Sequence, residues 1–111
     1  MVVNCRFDRP DRSRQLGEAI PQWRPADRYL LVGSGTYVFA RTAVAAGLRP
    51  GLLMPLEGMD RAGVFEEIVG ACARNSLVMG VGNIGGIGLE LVRHFRNRAR
   101  PDAHEIEGAM A

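Results

Sequence analysis

The sequence predicts an α/β domain in three layers, helix over sheet over helix, built on a parallel sheet of about four strands. Three observations predict it. Residues 29 to 32 and 77 to 81 are continuous runs without a charge, as strands covered on both faces require. Apolar residues recur at helical spacing in the segments around them. Strand and helix signals alternate strictly, which favours right-handed crossovers and helices on both faces of the sheet.

Val2 to Arg6 reads as a short strand, and Asp8-Arg9-Pro10 as a turn, because a proline holds the preceding residue extended and is itself suited to opening a helix. That helix should run to about Gln22, with Leu16, Ala19, Ile20 and Trp23 at helical spacing and Pro21 and Pro25 marking its end. Tyr29 to Val32 is the second strand, stopped by Gly33-Ser34-Gly35. A helix from Thr36 to about Ala46 follows, closed by Gly47 in a left-handed cap, and Leu52 to Leu56 is a weaker strand interrupted by Pro55. Asp60 is placed to cap a third helix, with Val64, Phe65, Ile68, Val69 and Cys72 as its apolar stripe and an end near Arg74 or Asn75. Ser76 to Val81 is the fourth strand, and Ile84, Ile87, Leu91 and Phe95 mark a last helix to about Arg98. Residues 1–98 form the domain and 99–111 a flexible tail. The expected core includes Leu31, Val32, Phe39, Phe65, Ile68, Val78, Leu91 and Phe95, with Trp23 covering one end.

At 111 residues, 47% hydrophobic and 23% charged, the chain has the size of one domain with a core that needs no disulfide or metal. No apolar run approaches the roughly 20 residues that cross a bilayer, and the first residues lack the apolar region of a signal peptide, so a cytoplasmic location is expected. A net charge of +2 with acids and bases interspersed argues against nucleic acid as a partner. All 14 basic residues are arginine. Without lysine there is no Walker-type phosphate loop, no Schiff-base chemistry and no lysine general base. Cys5 and Cys72 form no Cys-x-x-Cys pair and share no ligand spacing with His94 or His104, so both are expected as reduced thiols in or near the core and no metal site is expected.

Three segments fall at the carboxyl ends of predicted strands, where parallel sheets bind their ligands. Asn4-Cys5-Arg6-Phe7-Asp8-Arg9-Pro10-Asp11-Arg12 sets several guanidinium groups beside a helix start. Arg6, Arg9 and Arg12 can each grip a carboxylate or phosphate with two bonds, and Asn4 or Asp8 can hold a hydroxyl or amine; the plain alternative is a salt-bridged helix start. Gly33-Ser34-Gly35-Thr36 offers the hydroxyls of Ser34 and Thr36 at a helix start, as an anion cradle or as a capped turn holding nothing. Gly80-Val81-Gly82-Asn83-Ile84-Gly85 satisfies Gly-x-Gly-x-x-Gly. A dinucleotide site needs a further strand ending in an acid about 20 residues on, and Asp102 has the distance without the strand. Close packing, or approach of another domain's ligand to Gly82 and Asn83, explains these glycines better.

The ordered set Asn4-Cys5-Arg6-x-Asp8-Arg9-x-Asp11-Arg12-x-x-Gln15, Ala26-Asp27-Arg28-Tyr29-Leu30 with Gly33, and Gly80-x-Gly82-Asn83-x-x-Gly86-x-Gly88 resembles the C-terminal part of the ATP-dependent ligase subunit of poly-γ-glutamate synthase, over roughly residues 2 to 98. That family is similar to the Mur ligases and folylpolyglutamate synthetase. The resemblance implies a Rossmann-like domain that closes over an ATP-binding one, and a reaction in which a carboxylate is activated as an acyl phosphate and an incoming glutamate amine displaces the phosphate. It also implies that the P-loop and the ATP and magnesium contacts lie in a partner domain or subunit. The isolated chain should then hold no cofactor and be inactive alone. Asn4, Arg6, Asp8, Arg9 and Arg12 would contact nucleotide or incoming amino acid. A membrane-bound polymer synthase complex at the inner face of the membrane is the implied setting. The alternatives are a non-catalytic α/β binding or homodimerisation module and a small nucleotide-binding oxidoreductase.

Overall fold

The computed structural model describes residues 1–83 and 85–97; Ile84, Arg98 and the tail, with Asp102 and His104, lie outside them. The chain alternates as expected: β1 (Val2–Cys5), α1 (Pro10–Trp23), β2 (Tyr29–Gly33), α2 (Thr36–Ala45), a single 3-10 turn (Pro50–Leu52), β3 (Leu53–Pro55), α3 (Arg61–Ala71), β4 (Gly80–Gly82) and a last helix, α4, over 87–97. All strand pairs are parallel, in the order β3-β2-β1-β4. In register, Val2 lies between Leu30 and Gly80, and Asn4 between Val32 and Gly82.

Successive side chains of a strand point to opposite faces, and the core divides accordingly. Val3, Cys5, Tyr29 and Leu31 pack against Ile20, Phe39 and Ala43, so α1 and α2 cover one face. Val2, Leu30 and Val32 pack against Leu56, Val64, Ile68 and Leu91, so α3 and α4 cover the other. The helix starts follow local chemistry. Pro10 opens α1, where its missing N–H costs nothing, and Asp60 caps α3 by accepting the Gly63 N–H at 2.8 Å. Pro21 does not end α1 but sits in its last turn, where only one backbone bond is lost before Arg24 and Pro25 stop the helix.

Four expectations need correction, all at the periphery of the sheet. The fourth strand pairs only over Gly80–Gly82, and residues 76 to 79 are exposed, because β4 is an edge strand with β1 as its one neighbour among the described residues. For the same reason Val78 and Phe95 are exposed, while Phe65 is half-buried against the rings of His94 and Phe95, with ring centres 4.4 and 5.1 Å away. Trp23 is 67% exposed, since α1 overhangs the sheet beyond Ile20, and its ring carries the Arg24 guanidinium at 5.0 Å instead of covering the core. Helix α3 ends at Ala71, where Cys72 turns extended, so Cys72 and Val69 are exposed. Cys5 alone is a core thiol, and burial pushes its pKa up.

Candidate functional site

Strands β1 and β4 are neighbours, yet the helices that follow them, α1 and α4, leave toward opposite faces. Their connections must part at the carboxyl end, which opens a crevice at the point where an open parallel sheet binds ligand. The crevice lies between the loop after Cys5 and the loop after Gly82.

Asn4 forms its floor and is 5% exposed. Its Nδ2 donates to the carbonyl oxygens of Asn83 and Gly85, the latter at 3.0 Å, and its own carbonyl accepts the Asn83 N–H at 2.9 Å. Three glycines close on this one residue, Gly33 and Gly88 on its side chain and Gly82 on its backbone. A Cβ at Gly33 would sit 2.7 Å from Asn4 Oδ1, one at Gly88 would sit 2.5 Å from Asn4 Nδ2, and one at Gly82 would overlap the Asn4 carbonyl oxygen. Gly82 and Gly88 are therefore glycine for close approach to β1. Gly80 and Gly85 have open space around them. A groove of about 540 Å³ runs from Asn4, Gly82, Asn83 and Gly88 along the β4 edge to Leu91, Val92 and Phe95.

In the segment that follows β1 the arginines divide. Arg6 grips Asp8 with a two-pronged bond, Nε to Oδ1 at 3.0 Å and Nη2 to Oδ2 at 2.7 Å, and Arg14 takes Asp11 at 2.8 Å. Arg9, which precedes α1 as its N-cap residue, and Arg12, in its first turn, form no ion pair among the described residues and are exposed. The three guanidinium groups therefore do not stand free together: the fork of Arg6 is held by Asp8, which tightens the turn that also joins the Arg9 N–H to the Arg6 carbonyl.

The Ser34 and Thr36 segment is satisfied internally. Ser34 Oγ accepts the Phe7 N–H at 3.1 Å. The Thr36 N–H and Oγ1 donate to Glu57 Oε1 at 2.8 and 3.0 Å, so the start of α2 already holds an anion belonging to the chain. Glu57, 21 residues downstream, carried no local signal; only the parallel crossover from β2 to β3 brings it there. The Thr36 backbone bond, then the Thr36 hydroxyl, hold the Glu57 carboxyl below its ordinary pKa. A depressed carboxylate pKa contributes stability that is present above the unfolded value of 4.5 and lost as pH falls through the lower folded value. Glu57→Gln should thus lower the melting temperature at neutral pH, and the gap from wild type should close in acid. A gap that is constant across the titration would refute the charge-assisted cap.

A further depression of about 420 Å³ near the carboxyl edge is lined by Gly33, Asp60, Arg61, Ile87 and Glu90. Sequence reading had singled out neither Arg61 nor Glu90, which sit at the starts of α3 and α4. A family model described as the poly-gamma-glutamate synthase CapB C-terminal domain matches residues 1–98.

The chain belongs to this family.

Membership places it in poly-gamma-glutamate synthesis. Neither the curated proteins nor the solved structures compared with it give a match. Of the three segments that carried the resemblance, the one from Asn4 follows β1 and the one from Gly82 follows β4 at the carboxyl edge, whereas Ala26 to Leu30 enters β2 at the other end of the sheet. Among the described residues no helix is long and apolar enough to cross a membrane.

Proposed function

We propose that this CapB C-terminal chain is the substrate- and nucleotide-clamping module of an ATP-dependent amide ligase that makes poly-γ-glutamate. Residues 1–98 are the working domain, and the module completes its site with a P-loop domain or subunit in a synthase complex on the cytoplasmic side of the membrane. The observation that carries the reading is the parting of the β1 and β4 connections at the carboxyl edge, with Asn4 tied to both, and with Arg9 and Arg12, exposed and without an ion pair among the described residues, in the segment that follows β1.

ATP with magnesium, held by the P-loop part, supplies the activated carboxylate. This chain's residues bind and orient. Arg9 and Arg12 offer planar, two-bond grips to a carboxylate or phosphate arriving across the domain interface. The Arg6–Asp8 pair keeps the turn that presents them in one shape. Asn83 and the bare backbone at Gly82 close on the ligand from the β4 side, with their position set by Asn4. Ser34 and Thr36 support this arrangement indirectly, by anchoring the Phe7 turn and the start of α2.

The test adds the missing P-loop portion and follows ADP release. Arg9→Ala and Arg12→Ala should each lower the rate by about tenfold or more, the loss expected for one charge-assisted contact. Exposed guanidinium groups contribute little to stability, so both variants should fold normally. Lysine at either site should restore little, because it lacks the fork. Wild-type rates in both alanine variants would defeat the assignment. The chain alone, which has no lysine, should show no ATP turnover above blank and no micromolar binding by calorimetry. Any binding of glutamate or its polymer should weaken with salt.

A further inference from the structure

The depression that contains Arg61 and Glu90 is lined by the starts of two helices, and both are held in place. On the α3 side Asp60 accepts the Gly63 N–H at 2.8 Å, and Met59 lies so near that a Cβ at Gly63 would sit 2.7 Å from its Cγ. On the α4 side Ile87 packs on the core cluster of Val2, Leu30 and Val32, and Gly88 abuts Asn4 Nδ2. Gly33 and Gly58 add bare backbone to the lining, joined by the Gly58 N–H donating to the Gly33 carbonyl at 3.4 Å. The volume, about 420 Å³, falls within the roughly 300–1,000 Å³ of small-molecule sites.

The charges of this lining are not matched to one another. Elsewhere at this edge an arginine takes a neighbouring carboxylate: Arg6 holds Asp8, and Arg14 holds Asp11. Arg61 lines one cavity with Asp60 and Glu90, yet among the described residues no ion pair joins it to either. Asp60 Oδ1 is occupied by the Gly63 N–H. Its Oδ2 and the Glu90 carboxylate accept no hydrogen bond among the described residues. A lone anion entering here would meet two carboxylates, and a lone cation would meet the guanidinium. A molecule that carries an ammonium and a carboxylate together satisfies all three groups.

We infer that this depression binds a free α-amino acid, with its carboxylate in the fork of Arg61 and its ammonium on Glu90 and Asp60. The planar fork matches a carboxylate with two parallel bonds, and an ammonium has three donors to share between two acids. Membership in the poly-gamma-glutamate synthase family makes glutamate the amino acid. Arg61 and Glu90 are exposed, so the side-chain carboxylate of the bound glutamate stays hydrated. The inference rests on the ligase reading for its place in the reaction: Arg9 and Arg12 grip the activated partner, and this site supplies the amine that attacks it. Asn4 serves both, because its bonds to the Asn83 and Gly85 carbonyls fix the segment that enters α4.

The test is an amide NMR titration of the full 111-residue chain with racemic glutamate, and with glutarate, which lacks the amine. Glutamate should shift the amides of residues 59–62 and 87–90, and glutarate should bind at least about tenfold more weakly. Arg61→Ala and Glu90→Gln should each weaken glutamate binding by a similar factor, and a melting curve checks that both fold. Arg61→Lys should restore only part of the loss. In the ligase completed with its P-loop portion, the same variants should raise KM for glutamate and leave KM for ATP unchanged. No shift at residues 59–62, equal binding of glutarate, or a KM for glutamate that neither variant moves would overturn the site. Wild-type ADP release in Arg9→Ala and Arg12→Ala would instead defeat the clamping reading and leave glutamate binding at Arg61 and Glu90 standing.

Discussion

Gly33→Ala is expected to cost the chain a large share of its stability. Gly33 ends β2 at a φ of +91°, and a Cβ there would overlap the Cys5 carbonyl oxygen and sit 2.7 Å from Asn4 Oδ1. Positive φ alone costs a residue with a Cβ about 1–2 kcal/mol, and overpacking against backbone that cannot yield adds about 1–3 kcal/mol. Together these take much of the roughly 5–15 kcal/mol that a domain of this size has. Gly82→Ala should behave similarly, since its φ is +98° and its Cβ would strike the Asn4 carbonyl. Gly47→Ala separates the two causes. Its φ is +110°, but nothing lies within 4 Å, so only the conformational cost should appear. Urea denaturation of the three variants measures this, and equal losses at Gly33 and Gly47 would show that close approach to β1 contributes nothing.

Asn4→Asp is expected to be the most damaging change at the crevice, although it preserves shape. Nδ2 donates to two carbonyl oxygens, and a carboxylate placed there would face both as a buried, unpartnered charge. A loss of about 3–5 kcal/mol at neutral pH follows, by analogy with a buried charge stripped of its partner. Asn4→Ala should lose less, about 1–3 kcal/mol, because it leaves two carbonyls without a donor but adds no charge. The introduced carboxyl should titrate above its ordinary value, so the penalty is full above that raised value and shrinks as pH falls toward the unfolded value, where the protonated acid can donate one bond. Hydrogen exchange gives the localised readout: α4 amides should exchange faster while those of α1 and α2 stay protected. Uniform loss of protection would mean that Asn4 acts on the whole sheet and is not specifically the tie to α4.

Much of the site was legible because its parts are short and local. Asn4, Gly82 and Asn83 were picked out by strand ends and glycine spacing, and all three meet at the crevice. The division among the arginines was not legible, because Asp8 and Asp11 offer Arg6, Arg9, Arg12 and Arg14 several equivalent pairings, and side-chain geometry alone selects Arg6–Asp8 and Arg14–Asp11. Glu57 was invisible for a different reason. A glutamate in a loop has no signature until the crossover brings it to the start of α2.

The sequence by itself determined the alternation of strands and helices, the parallel sheet, the Asp60 cap and the central core of Leu31, Val32, Phe39 and Ile68. These depend on periodicity and burial, which each segment carries in its own residues. Tertiary structure alone decided the strand order, and with it which apolar residues had neighbours. Val78, Phe95 and Leu77 read as core by composition but lie at or beside the β4 edge, where no described strand covers them. Hydrophobicity records that a residue favours burial; whether a partner is present to bury it depends on position in the sheet. The Gly-x-Gly-x-x-Gly spacing was settled in the same way: its middle glycine, together with Gly88, packs on Asn4 of a strand 78 residues away, a contact that only the assembled β1/β4 pair creates.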